Sequence, residues 1–208
     1  MSLYLKFINN VSKPKGFLGK LMLSMMNSGH TKVSLWGLGH LDPHGDYKNI
    51  ADMGCGGGKN VQRLLAMYPK AHVVGIDYSE ESVNKTRQLN KTACAAHRAY
   101  VTQQDVSNLD LKDESFDLVC AFETIYFWPG PSESYKEVYR VLKDNGTFLI
   151  VLEITGESPD VSKWEKQIDG MKAYTQEQII HDLLAVGFKD IQTFKKEGTD
   201  WFSLIAKK

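Results

Sequence analysis

Four glycines within five positions stand between an acid and a helical pattern: Asp52-Met53-Gly54-Cys55-Gly56-Gly57-Gly58, followed by Lys59. Glycines in such a loop let backbone N–H groups approach a ligand with no Cβ in the way. Two readings compete. A dinucleotide fingerprint needs glycines at 54, 56 and 59, and position 59 is lysine. An acidic-x-Gly-x-Gly-x-Gly loop matches at 52, 54, 56 and 58. A plain strand-to-helix turn would need only one glycine. Two further acids end apolar runs. Asp77 closes His72-Val73-Val74-Gly75-Ile76, where a carboxylate accepts hydrogen bonds from both hydroxyls of a ribose. The alternative is an acid stabilising the helix that follows. Asp105 follows Tyr100–Gln104. A carboxylate there accepts from an exocyclic adenine amine, and the N–H of Val106 donates to a ring nitrogen. Its bland reading is a turn former.

These groups need elements to hold them. Residues 16–29 read as a Met- and Leu-rich amphipathic helix, and Gly29, Gly37, Gly39, Pro43 and Gly45 mark irregular chain after it. Strands are expected at 49–53, 72–77, 100–104, 116–122 and 147–154. Helices are expected at 59–68, from Ser79 towards Ala96, and at 132–142. Residues 155–174 read as polar and irregular. Thr175 caps a helix that Gly187 stops, and strands follow at 190–194 and 201–206. Alternating strands and helices predict an α/β fold: an open, mostly parallel sheet covered on both faces. The last two strands lie too close for a crossover helix, so they form an antiparallel hairpin at or near one edge. Such a sheet takes ligands at the C-terminal strand ends, where the glycine loop falls.

Composition narrows the function. Lys plus Arg numbers 25 and Asp plus Glu 25, so the formal net charge is zero. That balance argues against a nucleic-acid binder with a broad basic surface. Cys55, Cys94 and Cys120 have neither CxxC nor zinc spacing, so no disulfide framework and no metal are expected, and a reducing cytoplasm is the simplest location. No apolar run exceeds five residues, and Met1–Asn10 lacks signal-peptide order, so no membrane association is expected.

Taken in order, the motifs resemble the class I S-adenosylmethionine-dependent methyltransferases, in the broad ubiquinone/menaquinone-biosynthesis-like group of small-molecule enzymes. The resemblance spans roughly residues 17–208. It rests on Ile50–Gly58, Gly75-Ile76-Asp77-Tyr78-Ser79, Asp105-Val106, Phe116-Asp117-Leu118-Val119, Glu137–Lys143 with Gly146, and Gly187-Phe188. It implies a Rossmann-like seven-stranded, mostly parallel sheet with helices on both faces and the last strand inserted antiparallel. The chain is then a single domain over 1–208, with a helical cap at 1–46, a cofactor-binding core at 47–154, and a lid segment with the hairpin at 155–208. It implies S-adenosylmethionine as cofactor and S-adenosylhomocysteine as product. Asp52, Gly54, Cys55, Gly56 and Gly58 would hold the methionine end, Asp77 the ribose, and Asp105 and Val106 the adenine. Tyr78, Ser79 and Ala121 complete the expected cofactor set. A sulfonium methyl already carries a neutral leaving group, so alignment and exclusion of water are the main demands.

The acceptor side is expected where the fourth strand ends, at Ala121–Pro129. Aromatic faces there suit a sulfonium cation. Many relatives carry His near Tyr126, and this chain does not. Glu123 and Tyr126 are the candidate catalytic residues. Met26, His30, Trp36, Tyr126, Trp128, Met171 and Tyr174 are the candidate substrate walls, with core packing as the alternative for each apolar one. A Pro-Pro-Tyr signature, a Pro-Cys nucleophile and a magnesium-binding acidic pair with Asn are all missing from the sequence. The expectation is a metal-free methyltransferase for a small-molecule acceptor, monomeric or homodimeric. A macromolecular methyltransferase for protein or RNA and a noncatalytic S-adenosylmethionine-binding module are the alternatives.

Overall fold

Alternate residues along the central strands point to opposite faces, and each face is covered. The computed structural model describes residues 16, 19, 22, 23 and 29–208. Most of the expected first helix, Met26 included, lies outside the described residues. The elements run α1 (Thr31–Leu38), β1 (Asn49–Met53), α2 (Lys59–Met67), β2 (His72–Asp77), α3 (Glu80–Leu89), α4 (Lys91–Ala95) and β3 (Ala99–Gln103). They continue with β4 (Phe116–Phe122), a 3₁₀ turn at Ile125–Phe127, α5 (Pro131–Val141), β5 (Leu142–Leu152), α6 (Val161–Gln167), α7 (Gln176–Val186), β6 (Lys189–Lys195) and β7 (Phe202–Lys207).

The strands form one seven-stranded sheet in the order β3-β2-β1-β4-β5-β7-β6. β1 pairs in parallel with both β2 and β4, and β7 enters antiparallel between β5 and β6. Ala51, Met53, Val119, Ala121, Phe148 and Ile150 pack beneath α5 and α7. Ile50, Leu118, Cys120, Leu149 and Val151 face the other way, against α1 and α2. The strand order reverses between β1 and β4, so their C-terminal ends open a crevice.

The structure corrects three sequence expectations. The segment after residue 29 is not irregular: Thr31–Leu38 is helical. Gly37 acts there by permitting close approach, since a Cβ would stand 2.3 Å from a methyl of Val151 on β5. The expected helix from Ser79 towards Ala96 divides at Asn90. Its buried side-chain amide donates to the carbonyls of Gly58, at 3.1 Å, and Thr86, at 3.0 Å. Residues 155–174 contain a short helix, Val161–Gln167. None of its residues is buried, so no apolar stripe announced it.

The Glu137–Lys143 motif has a positioning role. Leu109 N–H donates to Glu137 at 2.8 Å, and Arg140 donates to the Leu109 carbonyl at 2.9 Å. Helix α5 thus fixes the loop that carries Asp105 and Val106. Among the described residues no helix is long and apolar enough to cross a membrane.

Candidate functional site

The glycine loop is shaped by its own backbone. Gly54, Gly56 and Gly58 have φ of +75°, +51° and +80°, a region in which L side chains are strained. The N–H groups of Gly54 and Cys55 both donate to the Ile76 carbonyl, at 2.7 and 2.9 Å. A Cβ on Gly54 would fall 2.0 Å from Thr124 Oγ1, and one on Gly58 would fall 2.8 Å from Thr86 Cα. Gly56 differs. The nearest atom to a Cβ there would be Leu23 Cδ2 at 3.9 Å, an ordinary van der Waals contact, and Gly56 borders both cavities. The loop is therefore tight where it meets protein and bare where it meets the crevice.

Asp77 locks the loop to β2. One carboxylate oxygen accepts from Gly56 N–H and the other from Ser79 N–H, each at 2.9 Å. Burial raises its pKa, and these two N–H donors and the Ser82 side chain oppose the rise. Ser79 is the N-cap of α3, accepting from Ser82 N–H. Asp52 lies deeper, 1% exposed, and its Oδ2 has no hydrogen-bond partner among the described residues. Burial pushes its pKa up to about 7, Asp77 adds to the rise, and Arg63 opposes it.

Two adjoining cavities open at the C-terminal ends of β1, β2 and β4. The larger, about 220 Å³, has Gly54, Gly56, Asp77, Tyr78, Gln104 and Asp105 on its polar side. Val106, Leu23, Phe122, Phe127, Trp128 and Pro129 form its apolar side. The smaller is bordered by Gly54–Gly57, Lys59, Asn60, Arg63, His30 and Ser34. Gly54, Gly56, Phe122 and Glu123 border both. The arrangement offers a buried acceptor pair at Asp77, an apolar slot beside Val106, and a charged end bearing Arg63 and Lys59. It can take an elongated ligand with hydroxyls in the middle and a charged group at one end.

Glu123 sits at the junction, just past β4. Its φ of +56° is unusual for a residue with a side chain. Its Oε1 accepts from the Glu153 N–H. Its Oε2 is 3.6 Å from His30 Nδ1, and Glu153 Oε2 is 3.2 Å from the same nitrogen. Burial pushes the Glu123 carboxyl up to about 7, with His30 lowering it and Glu153 raising it. Burial works against a charged His30, but Glu153 and Glu123 outweigh it and raise its pKa.

Of the sequence-predicted residues, Gly54, Cys55, Gly56, Asp77, Tyr78, Asp105, Val106, Glu123, His30 and Trp128 reach the cavity walls. Asp105 also behaves as a turn former: its Oδ1 accepts from the N–H and hydroxyl of Ser107. Asp52, Gly58, Ser79 and Ala121 border neither cavity and act from behind it, Ala121 as fully buried core. Trp36, Tyr126, Met171 and Tyr174 border neither cavity, although the Tyr126 side chain touches Glu123. Trp36 faces Trp201 and His40. The Tyr126 hydroxyl donates to the Ile154 carbonyl at 2.9 Å. Met171 and Tyr174 join the core under α7. Burial pushes the Cys55 and Cys120 thiols up, so neither is an activated nucleophile. Sequence reasoning missed Arg63, Gln104, Thr124 and Glu153. Arg63 carried a faint signal, standing in the second turn of the helix that the glycine loop opens.

Comparison with known proteins gives a consistent picture. A family model described as a methyltransferase domain matches residues 44–197, about three quarters of the chain. Methyltransferase phqN of Penicillium fellutanum is 26% identical over 151 residues, covering 68% of this chain and 46% of its own length. The sterol 24-C-methyltransferase of Eremothecium gossypii is 28% identical over 149 residues, covering 67% of this chain and 40% of its own. The chain thus spans less than half the length of these curated relatives. The phosphoethanolamine N-methyltransferase 2 of Haemonchus contortus was solved with phosphomonomethylethanolamine and S-adenosylhomocysteine. It superposes with a TM-score of 0.79 at 15% identity, over 100% of this chain and 60% of that one. This last likeness is one of fold.

Proposed function

The chain belongs to the methyltransferase domain family, and on that premise we propose that it transfers a methyl group from S-adenosylmethionine to a small-molecule acceptor. The observation that carries this reading is the bare Gly56 beside the Asp77 carboxylate, in a loop otherwise packed tight. A backbone without a Cβ and an acid with spare lone pairs fit the ribose and methionine portions of that cofactor. When bound, the cofactor supplies an electrophilic methyl on a positively charged sulfur with a neutral leaving group.

The chain's own residues then bind, orient and exclude water. Asp77 accepts from the ribose hydroxyls while keeping its bonds to Gly56 and Ser79, since each carboxylate oxygen accepts more than one hydrogen bond. Val106 and Tyr78 bracket the adenine, and Gln104 and Asp105 meet its polar edge. The charged cavity end suits an amino acid zwitterion, with Arg63 and Lys59 for its carboxylate. Phe122, Phe127 and Trp128 offer apolar and aromatic surface near the sulfonium and shield it from water.

The acceptor is proposed to be a small molecule. The support is the aromatic-walled cleft, the zero net charge, the sterol substrate of one relative and the phosphoethanolamine substrate of one structural neighbour. The residues bounding the acceptor are proposed to be Glu123, His30, Trp128, Phe127 and Leu23. Isothermal titration with S-adenosylmethionine, S-adenosylhomocysteine and NAD tests the cofactor. Binding of the first two and not of NAD is expected. Binding of NAD alone would refute the reading. Labelled-methyl transfer into a metabolite extract, compared with protein and RNA fractions, tests the acceptor class. Label confined to protein or RNA would overturn the small-molecule assignment.

A further inference from the structure

We propose that His30, Glu123 and Glu153 form a divalent-cation site at the junction of the two cavities. The three donors come from separate segments: His30 precedes α1, Glu123 follows β4, and Glu153 follows β5. β4 and β5 are parallel neighbours, so their ends bring the two carboxylates together. His30 Nδ1 lies 3.2 Å from Glu153 Oε2 and 3.6 Å from Glu123 Oε2, and one donor atom from each of the three residues lies within 4.8 Å of the others. A first-row ion with nitrogen and oxygen ligands at about 2.0–2.2 Å holds adjacent donors roughly 3.0–3.6 Å apart.

A second observation points the same way. His30 Nδ1 is shielded from solvent and aimed at the two carboxylates, so the nitrogen and both acids face one point. The separations suit donors converging on one ion. The other cations on this wall are engaged elsewhere. Arg63 donates to Asn60 and Thr31, and Lys59 to Gln62. Outer-shell support is in place. Glu123 accepts from Glu153 N–H, and Glu153 accepts from the Trp201 side chain. Such partners fix the orientation of metal-binding carboxylates.

One imidazole with two carboxylates favours Zn²⁺, Mn²⁺, Fe²⁺ or Co²⁺ over Mg²⁺ or Ca²⁺. Three protein donors leave coordination positions open, and the ion would bear no net local charge with two carboxylates around it. Its role rests on the methyl-transfer reading. Glu123 and His30 border the cavity, so an acceptor bearing a hydroxyl or carboxylate oxygen can occupy an open position and be held there, its hydroxyl made more acidic by the ion. The metal-free mechanism expected from sequence would then be replaced by a metal-oriented one.

The test uses the full chain, stripped with chelator, and Mn²⁺ as the probe because Mn²⁺ avoids the three thiols. Titration followed by electron paramagnetic resonance is expected to give one saturable Mn²⁺ per chain. His30→Ala and Glu153→Gln are each expected to weaken it at least tenfold, and Cys94→Ala to leave it unchanged. His30 and Glu153 side chains are 33% and 41% exposed, so both substitutions leave the core intact, and a melting curve checks each variant. No saturable Mn²⁺ binding, or binding that survives both substitutions, overturns the proposal. S-adenosylhomocysteine is titrated into the same samples. Mn²⁺ binding without S-adenosylhomocysteine binding would sink the methyl-transfer reading and leave the cation site standing; the reverse result would do the opposite.

Discussion

Two aspartates a strand apart carry opposite duties. Asp77 faces the larger cavity and already accepts two backbone N–H bonds. Asp77→Ala should weaken S-adenosylhomocysteine binding by roughly ten- to a hundredfold, the cost of a lost charge-assisted hydrogen bond. Calorimetric titration reads this directly, and an unchanged dissociation constant would remove Asp77 from the ribose site. Asp52 is buried, has an oxygen unpartnered among the described residues, and titrates near pH 7 in the fold. Its folded pKa exceeds the unfolded value of about 3.9. The fold therefore binds its proton more tightly than the unfolded chain does. Asp52 contributes most below about pH 4, and that contribution is lost as pH rises to about 7. The whole swing is on the order of 4 kcal/mol. Urea melts of Asp52→Asn and the parent should show the variant gaining relative stability from pH 4 to 7, then a constant difference. A pH-independent difference would mean that folding does not shift the Asp52 pKa.

At the scale of elements, the strand-loop-helix unit separates folding from binding. Gly54 and Gly56 share a left-handed backbone but differ in surroundings. Gly54→Ala drives a methyl into Thr124, so several kcal/mol of stability should be lost along with binding. Gly56→Ala carries only the backbone penalty, about 1–2 kcal/mol, because its methyl meets nothing closer than 3.9 Å and stands at the cavity wall. S-adenosylhomocysteine affinity should nevertheless fall more than tenfold, since that space is the ligand's. Thermal melts with calorimetry check the pair. A Gly56→Ala variant that binds as tightly as the parent would disprove a close backbone approach. The loop itself was plain in the sequence, because four glycines between an acid and a helix have few other uses. The α1 helix was hidden because Gly37 and Gly39 read as breakers. Only the packed fold shows that Gly37 is small to let α1 lie against Val151.

Across the whole molecule, cofactor and acceptor functions are proposed to divide between the sheet and its flanking segments. Leu23 is fully buried and lines the larger cavity, and Met22 is buried beside it in sequence. Removal of residues 1–28 is expected to leave S-adenosylhomocysteine binding within roughly tenfold of the parent and to abolish methyl transfer. The sheet, the loop and Asp77 remain, while a wall that excludes water is lost. A truncated chain that binds and turns over normally would refute the cap. One that unfolds would show Met22 and Leu23 to be core. The segment 155–174, expected as a second lid, is tied down more firmly than its polarity suggests. Lys172 N–H donates to the Tyr126 carbonyl, Gly156 N–H donates to the Tyr174 carbonyl, and Tyr174 is buried.

The sequence by itself determined the sheet, its two covered faces, the closing hairpin and the loop with its acids. All of these follow from local rules: two-residue alternation, helical periodicity, and glycine where φ must be positive. Tertiary structure decided which side chains share a cavity. Asp52 and Asp77 looked equivalent as strand-end acids, yet one is buried away from both cavities and the other lines the larger one. Tyr126 and Trp128 stand two residues apart in one aromatic stretch, and the 3₁₀ turn buries the first against Ile154 while leaving the second on the wall. Glu153 carried no signal, because its partners His30 and Glu123 come from distant segments and meet only when β4 and β5 align. Local pattern reports the period of a single element. The convergence of donors depends on register and packing between elements, which no short stretch of sequence contains.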